Sequence, residues 1–212
     1  RPDLADRLHY LPPGIELGTA PYALRQIHAI PDDAFLFLCP ASIRPVKGVL
    51  ELLFLFDALA RRRDEFHFAC CGPILDAGYG RQFLAAVAER PWASYLGIIP
   101  AEAMPAAMRQ AEVIVNNSIS EGLSNALLEA VVLGRAVLAR DIPGNAAVIE
   151  HGANGLLYSD AAGFLRAAER LVKDSAFLAT MSRPAPESYP PRQESAELDR
   201  LCRQLIKGRE SA

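Results

Sequence analysis

Apolar residues in this chain follow two rhythms. Short continuous runs, F-L-F-L-C from Phe35, H-F-A-C-C from His67, V-I-V from Val113 and A-V-L-A from Ala136, are bounded by Gly, Pro or Asn. Such runs read as strands. Between them lie longer runs: V-L-E-L-L-F-L-F-D-A-L-A from Val49, R-Q-F-L-A-A-V-A-E-R from Arg81, S-N-A-L-L-E-A-V-V-L from Ser124 and A-A-G-F-L-R-A-A-E-R-L-V-K from Ala161. The last puts Phe164, Leu165, Ala168, Leu171 and Val172 on one helical face, and the first is apolar on most of its circumference. Strand alternating with helix predicts an α/β domain, a Rossmann-like parallel sheet flanked by helices. W-A-S-Y-L and N-G-L-L-Y add short strands, and A-E-A-M-P-A-A-M-R-Q-A adds a short helix with Pro105 in its first turn.

The stretch from Ser118 to Gly155 concentrates the chemistry. A strand ends in V-I-V-N-N-S-I, a polar corner follows at Ser120, Glu121 and Gly122, and a helical run continues to the stop at Gly134. Counted along a helix, Glu121 and Glu129 would stand about 12 Å apart on the axis and within about 80° in direction. That is too far to flank one bond as an acid/base pair, but suits the two ends of an elongated ligand. Between them, the amides near Gly122, Leu123 and Ser124 lie at a helix start, where unpaired donors and the dipole favour an anion. Ser124 suits an N-cap, and Asn125 could instead reach sugar or phosphate. The implied ligand has a diphosphate in the middle and hydroxylated rings at both ends, as a nucleotide-sugar does. Upstream, R-P-V-K-G places Arg44 and Lys47 between a strand end and a helix start, where a parallel sheet makes ligand contacts and where both can bond phosphate.

Composition narrows the field. The 212 residues carry a net charge of −3 with no sustained basic stripe, which argues against duplex nucleic acid. No apolar run reaches the ~18 residues of a membrane span. Of the four cysteines, Cys39, Cys70 and Cys71 sit in apolar runs and, with Cys202, lack metal spacing. Buried free thiols suit a reducing compartment, so a cytoplasmic location is expected. No metal or cofactor is expected, and His9, His28, His67 and His151 form no ligand set. Neither a Walker A loop nor a nucleophile elbow occurs.

E-G-L-S-N-A-L-L-E, followed by G-R-A-V-L-A-R-D-I-P-G-N and N-G-L-L-Y, resembles the donor-binding C-terminal half of a GT-B retaining glycosyltransferase of group 1, or family 4. It is similar to the glycosyltransferase 1 domain-containing proteins in particular. The resemblance covers residues 35 to 175. It implies one half of a GT-B fold that binds a nucleoside diphosphate sugar for retaining transfer to an unknown acceptor. Glu121 would contact the transferred sugar, Glu129 the ribose hydroxyls, and Lys47 with Arg44 the diphosphate. Ile98 and Ile99 would border the base, and Gly144 would let backbone approach the ligand. The chain departs from the pattern in two places. Ala41 and Ser42 stand where the family carries its arginine, and Ala147 stands where many relatives have glutamate.

The resemblance also implies a domain plan. Residues 1–34 would lead in from a missing N-terminal, acceptor-binding half, with a strand near Leu8 to Leu11 and a turn at Pro12 to Gly14. Residues 35–182 would form the nucleotide-sugar-binding domain. Residues 183–212 would hold a proline-rich connection and a C-terminal helix with Leu198, Leu201, Cys202, Leu205 and Ile206 on one stripe. Two other readings stay open at this point: a non-catalytic nucleotide-sugar-binding module, and a phosphorylase- or epimerase-type reaction on the same fold.

Overall fold

The computed structural model describes residues 14–63, 65–183 and 194–210. The expected strand at Leu8 to Leu11, most of the Pro12–Gly14 turn and most of the proline-rich connection lie outside these residues. The chain divides into two compact units, and the larger, Leu17–Pro186, carries every element below except the last helix.

Six strands, β1 (Phe35–Pro40), β2 (Phe66–Cys71), β3 (Ala93–Tyr95), β4 (Val113–Asn116), β5 (Ala136–Arg140) and β6 (Leu156–Tyr158), form one sheet in the order β3-β2-β1-β4-β5-β6. Every pairing is parallel. The crossovers are helical, with α2 (Val49–Ala60), α3 (Ala77–Ala88), α4 (Met104–Met108), α5 (Asn125–Val132) and α6 (Pro143–Ala146) between successive strands. A short α1 (Leu24–Ile27) precedes β1, and α7 (Ala161–Lys173) and α8 (Ser175–Met181) follow β6. The α/β expectation from alternating runs therefore holds.

Helices on both sides explain why the strands read as unbroken apolar runs. Alternate residues Phe37, Cys39, Phe66, Phe68, Cys70, Val113, Val115 and Leu138 join one core with α2, α3 and α7. Phe56 of α2 is its centre, with ring centroids 5.0 Å from Phe37, 4.7 Å from Phe68 and 5.0 Å from Phe164. The intervening residues Leu36, Leu38, Ala69, Cys71, Ile114 and Val137 are also buried, on the opposite sheet face.

The sequence explains several helix starts. Asp76, Asp160 and Asp174 each accept a hydrogen bond from the amide three residues on, capping α3, α7 and α8. For α2, the amide of Leu50 donates to the Tyr79 hydroxyl at 2.9 Å, and that hydroxyl donates to Glu51 at 2.6 Å. The remaining helix, α9 (Glu194–Glu210), carries its own ion pairs Glu197–Arg200 and Asp199–Arg203. No helix among the described residues is long and apolar enough to cross a membrane.

Candidate functional site

From β1 the chain continues to β2 and β3 on one side, and from β4 it continues to β5 and β6 on the other. The two crossovers therefore diverge between β1 and β4 and leave a crevice at the carboxyl ends of those strands. The loop after β1 holds Arg44 and the one-turn 3-10 helix Pro45–Lys47. The loop after β4 holds Asn117 to Ser124. The two are stitched together. Ile119 donates its amide to Val46 O at 2.9 Å, and Asn117 donates Nδ2 to Gly48 O at 2.7 Å.

This stitching brings Lys47 to Glu121. Lys47 Nζ lies 2.8 Å from Glu121 Oε1 and 2.6 Å from Oε2, and Ser118 Oγ donates to Oε2 at 2.7 Å. The side chains of Lys47 and Glu121 are only 15% and 14% exposed. Burial pushes the Glu121 carboxyl upward, but Lys47, Ser118 and Asn116 outweigh it and hold the carboxyl below its ordinary range. The two predicted site residues thus form one charge pair. Arg44 is exposed and makes no side-chain bond among the described residues.

Glu121 does not lie on the helix. It sits in the loop, α5 starts at Asn125, and Ser124 occupies the N-cap position. The helical separation inferred for Glu121 and Glu129 therefore has no basis. Ser124 also fails to cap. Its hydroxyl is buried and accepts from Asn116 Nδ2 at 3.2 Å, and no side chain caps α5. The amides of Gly122, Leu123, Ser124, Asn125 and Ala126 consequently have no hydrogen-bond partner among the described residues. Gly122, Leu123 and Asn125 are exposed, and nothing lies within 4 Å of where a Gly122 side chain would begin. The aspartate-capped helices α3, α7 and α8 contrast with this open start.

The close approach at Gly144 is to the chain's own backbone, whereas the sequence reading has Gly144 bring backbone close to a ligand. A Cβ there would stand 2.2 Å from Gly122 O and 2.3 Å from Glu121 O. The start of α6 thus braces the Glu121–Gly122 loop from beneath.

A set of buried polar residues under this loop escaped the sequence reading. Asn116, Asn117, Ser118 and Asn145 are buried, alongside the predicted Ser124. Asn116 Oδ1 accepts from the Ser118 amide at 2.9 Å and from Asn145 Nδ2 at 3.3 Å. Asn117 Oδ1 accepts from the Tyr158 hydroxyl at 2.7 Å. Burial raises the Tyr158 hydroxyl well above its ordinary value, so it stays a donor. The available signal was N-N-S placed directly after the apolar V-I-V: amides at a buried strand end need partners.

Beside this loop opens a cleft of about 440 Å³, lined by Ala41, Ser42, Gly72, Ile98, Ile99, Pro100, Met104, Met108, Ala126 and Glu129 among others. It unites Ile99 with Glu129, and Ala126 of α5 links it to the open helix start. Its wall is mostly apolar, which suits a flat ring. A second cavity of about 390 Å³ lies near Ala34, Phe66 and Trp92, at the amino ends of the strands and away from the crevice. His28, His67 and His151 bond to Tyr22, Ser94 and the Leu157 amide. No metal-holding group of His, Cys, Asp and Glu occurs among the described residues.

Comparison with known proteins agrees with this architecture. Residues 34–174 match the family model described as glycosyl transferases group 1. Glycosyltransferase 1 domain-containing protein 1 of Xenopus tropicalis is 33% identical over 139 residues, 66% of this chain and 40% of the relative. Among solved structures, Anabaena HepE in complex with UDP and glucose superposes with a TM-score of 0.71 at 19% identity, covering 86% of this chain and 50% of HepE. Sucrose-phosphate synthase from Thermosynechococcus elongatus gives 0.75 at 21% identity, with 91% and 52% covered. The chain spans about half the length, or less, of these proteins.

Proposed function

The chain belongs to the group 1 glycosyl transferases, and we propose that its carboxyl-edge crevice binds a nucleoside diphosphate sugar as donor for retaining glycosyl transfer. The observation that carries this reading is the continuity of three surfaces. The cleft suited to a flat ring is lined by Ala126 and Glu129 of α5, the uncapped start of α5 carries the unpartnered amides, and Glu121, paired with Lys47, lies in the loop just before it. The middle surface suits the diphosphate, because amide donors and the helix dipole complement negative charge. Lys47 adds a charge-assisted bond once phosphate competes with Glu121 for it, and Arg44 is free to swing in. These donors stabilise charge growing on the departing diphosphate. Glu121, released from Lys47, accepts from hydroxyls of the transferred sugar, and Glu129 accepts from the ribose. The acceptor would be held by a second half that these residues do not include.

The test is a thermal-shift and calorimetric screen of the 212-residue chain against UDP, GDP, ADP and their glucose conjugates. Binding to the native state raises the melting temperature. Submillimolar affinity for at least one nucleoside diphosphate is expected, together with negligible transfer by the chain alone. Absence of a shift with every nucleotide would reject the reading.

A further inference from the structure

We infer that the segment Gly18–Arg25 is a strap that positions the nucleoside wall of the cleft, with Gly18 and Gln110 as its positioning residues. This rests on the donor reading of the crevice. The wall in question is built by Pro100, Ala101, Met104 and Met108. Two of these lie on α4, a five-residue helix. A helix that short does not hold itself and depends on its packing.

One side of α4 is held from within, since Ala107 and Met108 are fully buried. The strap holds both of its ends. Ahead of α4, the Ala20 amide donates to Glu102 O at 3.0 Å. Gly18 packs so closely there that a Cβ would stand 2.3 Å from both Glu102 Cα and Glu102 O. The obstacle is backbone, so no side-chain rotation relieves it. Behind α4, Gln110 Nε2 donates to Tyr22 O and to Ala106 O, and Gln110 Oε1 accepts from the Arg25 amide at 3.3 Å. The strap thus bridges Glu102 and Gln110 across the helix that carries Met104 to the cleft wall.

The strap supplies no lining residue itself. Its action is therefore selective. Lys47 and the amides at the start of α5 are set by the loops after β1 and β4, which are stitched to each other and not to the strap. Displacing the strap shifts the surface that meets the base and leaves the surface that meets phosphate.

The experiment titrates the 212-residue chain, wild type, Gly18→Ala and Gln110→Ala, with UDP, GDP and inorganic pyrophosphate, and records the melting temperature of each. Gln110→Ala removes side-chain bonds without a clash, so it remains informative if Gly18→Ala does not fold. The expected result is a rise in nucleotide Kd of about five- to tenfold, the scale of one lost hydrogen bond, with pyrophosphate affinity unchanged. Nucleotide affinities unchanged in folded variants overturn the strap while leaving the donor site intact. Equal loss of pyrophosphate and nucleotide overturns its selectivity. A wild-type chain that binds none of the three overturns the donor reading, and the strap's role with it.

Discussion

Removing Lys47 and neutralising Glu121 should change nucleotide affinity in opposite directions. The two side chains are largely buried and bonded through both carboxylate oxygens, at 2.8 and 2.6 Å. Lys47→Ala leaves Glu121 with only the neutral donors Ser118, at 2.7 Å, and Asn116. Stranding a mostly buried carboxylate in this way costs about 3 kcal/mol. The same variant loses a charge-assisted bond to phosphate, about 1.5–3 kcal/mol, so the UDP Kd should rise by roughly ten- to a hundredfold. Glu121→Gln keeps the shape, removes the competitor for Lys47 and removes a negative charge beside the diphosphate. UDP should bind as tightly or up to about tenfold more tightly, whereas the extra affinity of a UDP-sugar over UDP should shrink. Calorimetry on both variants with UDP and UDP-glucose checks the signs. If Glu121→Gln weakened UDP as much as Lys47→Ala did, Glu121 would not be competing with phosphate and the account of the site would fail.

The pair also sets an acid limit. The folded carboxyl of Glu121 titrates below its unfolded value. Its contribution to stability is therefore complete above the ordinary carboxylate pKa and is lost as pH falls through the depressed folded value. Melting temperatures from pH 7 down to pH 3 should fall less steeply for Glu121→Gln than for wild type over that acid range, with the curves parallel above about pH 5.

Three further outcomes follow from the same geometry. Gly144→Ala should destabilise by about 1–3 kcal/mol and weaken UDP, because its Cβ displaces the carbonyls of Glu121 and Gly122; thermal denaturation and titration measure the two effects. Glu129→Gln should raise the UDP Kd by about tenfold and leave pyrophosphate unaffected; equal loss of both would remove Glu129 from the ribose. Asn117→Ala should both destabilise by about 2–4 kcal/mol and weaken UDP, since Gly48 O and the Tyr158 hydroxyl lose their partner, whereas Tyr158→Phe, which keeps the bond to Gly48, should only destabilise.

The strands were legible because burial on both sheet faces leaves uninterrupted apolar runs between Gly, Pro and Asn. The helix over Ser175–Met181 was not, since seven residues give periodicity little room and the prolines beyond Ser182 drew attention to a loop. The composition of the site was legible as residue types. Its geometry was not. Lys47 and Glu121 are 74 positions apart, and their contact exists only because the strand order diverges between β1 and β4. The helical reading of Glu121 had a local correction available: placing Ser124 at the N-cap already puts Glu121 outside the helix. The buried asparagines went unremarked because Asn after a strand is ordinary turn composition. Only burial turns Asn116 and Asn117 into connectors.

The two parts of the site depend on different supports, and this makes the proposals separable. The surface proposed for phosphate is carried by the loops after β1 and β4, held by Asn117, by the Ile119–Val46 bond and by the bracing of Gly144. The surface proposed for the nucleoside is carried by α4 and the Pro100–Met104 turn, to which the segment leading into β1 is bonded. They meet at α5, whose start offers amides to one and whose Ala126 and Glu129 line the other. A change confined to one support should therefore alter recognition of one end of the donor. Only changes in α5 should alter both.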